Sequence, residues 1–213
     1  MIRGEQEARA WIESAFRVPR ETMVRLEAFV ALLRRETQRQ NLVSRSTLEH
    51  VWTRHIADSA QILAFSPSRN ASWLDVGTGA GFPGLIIAAL HGGPVTLIES
   101  RRLRVEFLKQ AAGILEIAPR IVHTRLEKAR VEPFDIISAR AFAPCSQLLT
   151  LAHPFSTEKT RWILPKGRSA HTELVQVEST WQGEFRLEPS MTDPDARIII
   201  ADRVRPKGQG KPS

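Results

Sequence analysis

A glycine-rich turn between Asp75 and Gly84 carries the residues with the clearest potential for ligand chemistry. Glu99 ends the next β-rich segment, where a carboxylate can accept hydrogen bonds from ribose hydroxyl groups. Because ligands of open α/β sheets bind at the carboxyl ends of the strands, the pattern predicts a ribose-containing ligand at this turn. Glycines without a Cβ let the backbone turn tightly and approach such a ligand, and the turn holds three of them before Gly84: Gly77, Gly79 and Gly81.

Two classes of ligand fit this turn, and its acidic residue favours one of them. The spacing Gly79-x-Gly81-x-x-Gly84, with Glu99 twenty residues after Gly79, matches the dinucleotide fingerprint of NAD enzymes. Asp75 favours a different ligand, because a carboxylate just before the turn repels a pyrophosphate. It suits a cationic ammonium or sulfonium group, contacted directly or through water. We therefore expect S-adenosylmethionine, and an NAD-dependent oxidoreductase is the alternative.

From residue 72 onward, short β-rich segments alternate with helical ones, which predicts a parallel sheet with helices on both faces. Their apolar residues do not alternate strictly, as is typical of strands buried on both sides. Two segments around a turn-rich stretch, 184–187 and 197–201, predict a final antiparallel pair. The fold class is therefore α/β, with a doubly wound, mostly parallel sheet. The other predicted strands are Trp73–Val76, Val95–Ile98, Arg120–Val122, Asp135–Ile137 and Trp162–Leu164.

The first 65 or so residues have helical periodicity. Apolar spacing predicts a helix over 5–16 and a longer amphipathic helix over 21–38. Ser46 and Glu49 form a capping-box pattern that predicts the start of a third helix, and another helix is predicted to start near Pro83. The predicted units are an N-terminal helical cap over 1–66, an α/β domain over 67–205 and a mobile basic tail over 206–213.

The charge balance points to a polyanionic partner. Lys and Arg number 30 against 23 Asp and Glu, a formal net charge of +7, so nucleic acid is the leading partner and a non-catalytic RNA-binding protein is a further alternative. The single cysteine, Cys145, excludes an intrachain disulfide and a cysteine-rich metal site, and we expect no metal. No apolar stretch is long enough to span a membrane and the first residues lack a signal-peptide pattern, so we expect a cytoplasmic protein.

Several motifs together resemble those of the small-subunit (16S) ribosomal RNA guanine-N7 methyltransferases, once named glucose-inhibited division protein B. The resemblance covers roughly residues 40 to 200. It implies a class I S-adenosylmethionine-dependent methyltransferase (Rossmann-like) fold that methylates N7 of a guanine in 16S ribosomal RNA or an assembling small ribosomal subunit. The matching segments are Asn41-Leu42, Arg54–Ser59, Asp75–Gly84, Leu97–Ser100, Phe107-Leu108, Arg125–Glu127, Ser138–Ala143 and Lys166-Gly167.

The resemblance also implies which residues contact the cofactor. Glu99 matches the acid that binds the ribose, and Leu126 with Glu127 matches the pair that borders the adenine. Arg140, after the fourth predicted strand, matches the arginine that lines the cofactor and substrate cleft. The predicted cofactor-binding residues are Asp75, Gly77, Gly79, Gly81, Phe82, Glu99, Ser100, Leu126, Glu127 and Arg140.

No general base is expected, because N7 of guanine has a free lone pair and attacks without deprotonation. The chain after the fourth predicted strand also lacks the Asn/Asp-Pro-Pro-Tyr/Phe motif associated with methylation of exocyclic amines. No catalytic side chain is assigned, and Arg140 is the best candidate for positioning the substrate.

Basic residues near the predicted strand ends are candidates for contact with RNA phosphates. His55 and Asp58, three residues apart on the third predicted helix, are expected to share a structural hydrogen bond rather than a metal ion. The predicted RNA-binding residues are Arg54, His55, Arg101, Arg102 and Lys166.

Overall fold

The computed structural model describes residues 1–208, within which seven strands form one sheet in the order β3-β2-β1-β4-β5-β7-β6. Strands β1 to β5 are parallel, and β7 pairs antiparallel with both β5 and β6. The predicted doubly wound, mostly parallel sheet with a final antiparallel pair is confirmed. The strands are β1 (Trp73–Val76), β2 (Val95–Glu99), β3 (Arg120–His123), β4 (Ile136–Ser138), β5 (Arg161–Lys166), β6 (Trp181–Pro189) and β7 (Arg197–Pro206).

Helices cover both faces of this sheet. Short 3₁₀ segments lie at Gln61–Phe65, Leu126–Lys128 and His153–Phe155, and a π-helical segment lies at Trp52–Ala57. The α-helices of the described residues are α1 (Glu5–Phe16), α2 (Arg20–Thr37), α3 (Arg45–Leu48), α4 (Asp58–Ala60), α5 (Gly84–Leu90), α6 (Arg102–Leu115), α7 (Cys145–Ala152) and α8 (Ala170–Thr180).

Two hydrophobic clusters, one on each face of the sheet, form the core. Trp73 and Leu97 belong to a cluster that also includes residues of α1, α2, α5 and α6, whereas Leu74 and Ile98 belong to one that includes residues of α7 and α8. Neighbours such as Trp73 and Leu74 belong to different clusters because successive side chains of a strand point to opposite faces. Helix α1 packs against the π-helical segment and α2 against α6, where Phe29 contacts Phe107, so both helices extend the core on one side of the sheet.

The third predicted helix is interrupted, and its start differs from the prediction. Ser44, not Ser46, is the N-cap residue of α3, and Glu49 follows its last residue, so the predicted capping box does not form. The carboxylate of Glu5 accepts hydrogen bonds from the backbone amides of Trp52 and Thr53, each at 2.9 Å. At the start of the π-helical segment, these two amides thus bind a residue of the distant helix α1. No local sequence pattern could predict this contact. Such π-helical turns frequently occur at functional sites.

The helix predicted to start near Pro83 begins at Gly84, with Pro83 as its N-cap residue. One boundary differs. Strand β7 extends through Pro206, and the backbone amide of Lys207 donates to the carbonyl of Thr180 at 2.8 Å, so ordered structure passes the predicted boundary at 205. The remainder of the predicted tail, 209–213, lies outside the described residues.

Candidate functional site

The glycine turn leaves β1 at the sheet edge where the other parallel strands also end. Gly77, Gly79 and Gly81 have φ angles of +64°, +60° and +89°, which glycine adopts without steric cost. A Cβ at Gly81 would lie 2.2 Å from the side chain of Leu85, so a larger residue does not fit there. A Cβ at Gly79 would meet the Arg104 guanidinium at 3.5 Å and the Gly77 carbonyl oxygen at 3.8 Å, so Arg104 lies over this face of the turn at ordinary contact distance.

Asp75 lies fully buried beneath the turn. Its carboxylate accepts hydrogen bonds from the amide of Gly84 at 3.0 Å and from the hydroxyl of Ser138 at 2.8 Å. Burial raises the pKa of Asp75 to about 6. Asp75 therefore connects the turn to β4, and its predicted contact with a ligand stays a prediction.

Glu99 lies beside the turn, at the end of β2. Its Oε2 accepts a hydrogen bond from the amide of Gly79 at 3.1 Å, and its Oε1 accepts one from the amide of Arg101 at 2.8 Å. The guanidinium of Arg104 lies 3.8 Å from Oε2. Because an ionised carboxylate has about four lone-pair sites, acceptor capacity remains on both oxygens for a ligand hydroxyl group.

The other predicted cofactor residues after β2 and β3 lie at the same edge. The register pairs Glu99 with His123, and the His123 ring nitrogen Nε2 lies 3.2 Å from the carbonyl oxygen of Ser100. Leu126 begins the 3₁₀ segment after β3 and is buried, whereas Glu127 is exposed. The contacts of these residues with a cofactor stay predictions.

Arg140 follows β4, and residues of the π-helical segment and α4 anchor its guanidinium. Nη1 donates hydrogen bonds to the carbonyl of Arg54 at 3.1 Å and to Oδ2 of Asp58 at 3.2 Å. Nη2 donates to Nδ1 of His55 at 2.9 Å, and the guanidinium lies 5.2 Å from the centre of the Phe82 ring. The expected hydrogen bond between His55 and Asp58 is therefore wrong, because both side chains bind Arg140 instead.

His55 is buried and stacks on Phe82 with 4.8 Å between the ring centres. Since its Nδ1 accepts from Arg140, its Nε2 carries the proton and donates to Oγ1 of Thr47 at 2.9 Å. Burial, together with the charges of Arg140 and Arg54, lowers the pKa of His55 to about 3. His55 is therefore neutral at pH 7 and cannot bind a phosphate as a cation. Phe82 is also buried, and its ring supports His55 and Arg140.

A cavity of about 800 Å³ opens beside this cluster, between the π-helical segment, the loop after β4, the end of β5 and the β6–β7 loop. Arg54 pairs with Asp193 at 2.6 Å on its rim. Lys166 pairs with Glu173 at 2.8 Å, and only 9% of the Lys166 side chain is exposed. Lys166 is thus not the free phosphate-binding cation that the sequence predicted, because Glu173 already neutralises it.

Arg101 and Arg102 are exposed at the start of α6, near the glycine turn. The Arg102 side chain is 77% exposed and approaches Glu106 at 3.7 Å, a surface pair that contributes little. Both guanidinium groups are accessible to a phosphate. Their contact with RNA stays a prediction.

Two residues of this site, Asp58 and Phe142, were not among the predicted site residues. A Cβ on Gly77 would lie 2.3 Å from Cδ2 of Phe142, so the Phe142 ring rests directly on the glycine turn. The sequence signal for Asp58 was its spacing from His55, and for Phe142 it was an aromatic residue two positions after Arg140.

Neither a metal-binding cluster nor a membrane-spanning helix is present within residues 1–208. No group of three or more His, Cys, Asp or Glu side chains there could hold a metal ion. None of the helices in this range combines the length and hydrophobicity that a membrane crossing requires.

Known proteins resemble this chain along most of its length. The family described as rRNA small subunit methyltransferase G matches residues 22–193. A protein named ribosomal RNA small subunit methyltransferase G from Rhizorhabdus wittichii is 53% identical over 218 residues, covering 99% of this chain and 98% of its own. A protein of the same name from Zymomonas mobilis subsp. mobilis is 48% identical over 212 residues, covering 96% of each chain.

Solved structures share the fold at low sequence identity. The ribosomal protein L11 methylase from Lactobacillus delbrueckii subsp. bulgaricus has a TM-score of 0.58 and 16% identity, with 69% of this chain and 77% of that chain covered. A mutant of MtNAS in complex with S-adenosylmethionine has a TM-score of 0.59 and 12% identity, with 93% and 83% covered. At these identities the likeness concerns the fold alone.

Proposed function

The chain belongs to the rRNA small subunit methyltransferase G family, and we propose that it transfers a methyl group from S-adenosylmethionine to N7 of a guanine in 16S ribosomal RNA. Family membership supports the methyl donor and the ribosomal RNA substrate. The observation that carries the proposal is one sheet edge that holds the positive-φ glycine turn, the adjacent acid Glu99 and the anchored Arg140 beside a cavity. An NAD-dependent oxidoreductase or a non-catalytic RNA-binding protein is not supported by these relatives.

The residues present fit S-adenosylmethionine. The glycines of the turn adopt positive φ angles that bring the backbone close to a ligand, and Glu99 beside them retains acceptor capacity for ribose hydroxyls. Leu126, which we expect to border the adenine, begins the segment after β3 at the same sheet edge and is mostly buried. When bound, S-adenosylmethionine supplies an electrophilic methyl group on a sulfonium. The negative charge of Glu99 and of ionised Asp75 favours a cationic ligand on this side of the edge.

Positioning, rather than proton transfer, is the main task of the cavity residues. Arg140 uses part of its five N–H donors on Arg54, Asp58 and His55, so the remaining donors are free for the O6 atom of guanine. A bidentate contact with both O6 and N7, common for arginine in DNA recognition, would block the attacking lone pair. A single hydrogen bond to O6 leaves N7 free. His55 is a poor general base because its pKa is about 3 and both ring nitrogens are engaged.

Binding and transfer measurements test this proposal. Calorimetry is expected to show binding of S-adenosylmethionine and none of NAD. With a donor carrying a radioactive methyl group, label is expected in 16S ribosomal RNA from a strain that lacks the enzyme, supplied naked or as small subunits. Chemical cleavage at 7-methylguanosine is expected to cut the labelled RNA at one guanine. Label that resists this cleavage would overturn the assignment to N7, and binding of NAD alone would overturn the activity.

A further inference from the structure

Phe142 differs from the other aromatic residues of this protein in its exposure. Within residues 1–208, Phe142 is the one aromatic residue that is exposed, with 36% of its surface accessible. Trp52, Trp73 and Trp162 are buried and cannot stack on a base. An accessible aromatic ring next to a cavity is a surface on which a nucleobase can stack.

The position of the Phe142 ring connects the two parts of the site. One edge of the ring rests on Gly77, the first glycine of the turn that we assign to the methyl donor. The same side chain lines the cavity together with Arg140. The ring therefore lies where an acceptor base must meet the donor.

The backbone around Phe142 is held in an uncommon conformation. Ala141 has a φ angle of +52°, a left-handed value that residues with a Cβ seldom adopt. The preceding residue, Arg140, is fixed by hydrogen bonds to Arg54, Asp58 and His55. Outliers of this kind persist where the surrounding structure enforces them and often lie at functional sites.

We propose that Phe142 is a substrate-positioning residue whose exposed face stacks on the target purine and holds it between the cavity and the glycine turn. This inference rests on the proposed function, because it requires a purine as methyl acceptor. Stacking fixes the plane of the base, and a hydrogen bond from Arg140 to O6 fixes its rotation within that plane. Together the two contacts direct N7 toward the turn. A base stacked inside an RNA double helix is inaccessible to the cavity. The substrate is therefore a nucleotide that is unpaired or extruded from its stack.

Substitutions that separate aromatic stacking from apolar bulk test the inference. Phe142→Leu keeps an apolar side chain but removes the π face, and it is expected to lower kcat/KM for 16S ribosomal RNA about ten- to hundredfold. Phe142→Trp restores a stacking surface and is expected to recover most of that loss. The affinity for S-adenosylmethionine, measured by calorimetry, is expected to change less than about twofold in both variants, because the donor makes no use of the π face.

Controls make the outcomes distinct. Val131→Ala changes an exposed apolar side chain that does not line the cavity, and it is expected to leave kcat/KM unchanged. Full activity in Phe142→Leu, or equal losses in the Leu and Trp variants, would overturn the stacking role. So would tighter donor binding by Phe142→Leu, since the ring would then only cover the turn. If the unmodified protein binds the donor but methylates no ribosomal RNA, the proposed function itself fails.

Discussion

The glycine turn and the cavity lie at the same sheet edge but satisfy their acidic side chains with different partners. At the turn, Asp75 and Glu99 bind backbone amides and a hydroxyl group, and Arg104 lies 3.8 Å from Glu99. At the cavity, each of three acids pairs with an arginine or lysine within 3.2 Å: Asp58 with Arg140, Asp193 with Arg54 and Glu173 with Lys166. The acids of the turn are thus satisfied mainly by backbone amides, with one arginine near Glu99, whereas each of these acids of the cavity pairs directly with a cation.

The two regions also differ in how the chain builds them. The turn is formed by contiguous residues, 75–84, and apart from the bond to Ser138 its longest-range hydrogen bond joins the amide of Gly77 to the carbonyl of Ile98. The cavity depends on contacts between distant segments, such as Arg140 with Asp58 and Arg54 with Asp193. We therefore expect substitutions in the turn to affect donor binding and substitutions around the cavity to affect the RNA step.

The largest effect is expected from Gly77→Ala, which tests the turn. A side chain at φ +64° costs roughly 1–2 kcal/mol, and its Cβ would lie 2.3 Å from the Phe142 ring. We expect the affinity for S-adenosylmethionine to fall about a hundredfold, as measured by calorimetry. Gly113→Ala is the matched control, because a Cβ there meets no atom within 4 Å and alanine stabilises a helix interior. Equal donor affinity in both variants would contradict our assignment of the turn.

The next largest effect is expected from Asp58→Asn, which tests the cavity. It removes the charge that anchors Arg140, and a hydrogen bond to a charged group contributes about 1.5–3 kcal/mol. We expect kcat/KM for the RNA to fall at least about tenfold while donor affinity stays nearly constant. Asp195→Asn is the control, since Asp195 pairs with Arg168 on the exposed surface. A parallel loss of donor affinity in Asp58→Asn would show that the two regions do not act separately.

The same division explains which parts of the site could be predicted from the sequence. Glycine spacing and the periodicity of single strands are local properties, and they indicated the turn after β1 and Glu99 at the end of β2. The sheet followed from the alternation of strands and helices. By contrast, no sequence pattern around Lys166 indicated that it pairs with Glu173. That ion pair depends on how α8 packs after β5.

The π-helical segment and the protonation state of His55 could not be predicted from local sequence patterns either, because both depend on residues far away in the chain. The segment begins where Glu5, on the first helix, accepts the amides of Trp52 and Thr53. The neutral state of His55 depends on burial and on Arg140, which lies 85 positions away in the chain. Spacing alone suggested a bond between His55 and Asp58, because it could not reveal the arginine that separates them.

The acid stability of the protein depends on one buried titratable group in each region, His55 at the cavity and Asp75 at the turn. The pKa of His55 is about 3 in the folded protein and 6.5 when unfolded, so the unfolded state binds more protons between these values. Its contribution to stability is present above pH 6.5 and is lost on acidification, by about 2 kcal/mol between pH 7 and 5. Asp75 has the opposite sign, because its folded-state pKa of about 6 exceeds 3.8 and proton uptake stabilises the folded state below pH 6.

Urea unfolding at pH 7 and pH 5 measures both contributions. We expect His55→Asn, which keeps an acceptor for Arg140, to lose less stability on acidification than the unmodified protein. Asp75→Asn is expected to lose more, since it lacks the stabilising proton uptake. The exposed His171→Asn is the control and should follow the unmodified protein. The same acid dependence in His55→Asn as in the unmodified protein would contradict a neutral, buried His55.

The smallest effect is expected from the exposed arginines beside the turn, Arg101 and Arg102. For each phosphate that a variant no longer binds, the slope of log affinity against log salt concentration becomes shallower by roughly 0.7–0.9. The double variant Arg101→Ala/Arg102→Ala should therefore bind RNA on the order of fivefold more weakly at low salt and show a shallower slope. Arg203→Ala is the control, because Arg203 is 74% exposed near the opposite edge of the sheet. If both variants keep the unmodified slope, Arg101 and Arg102 do not bind RNA phosphates and the RNA contacts lie elsewhere.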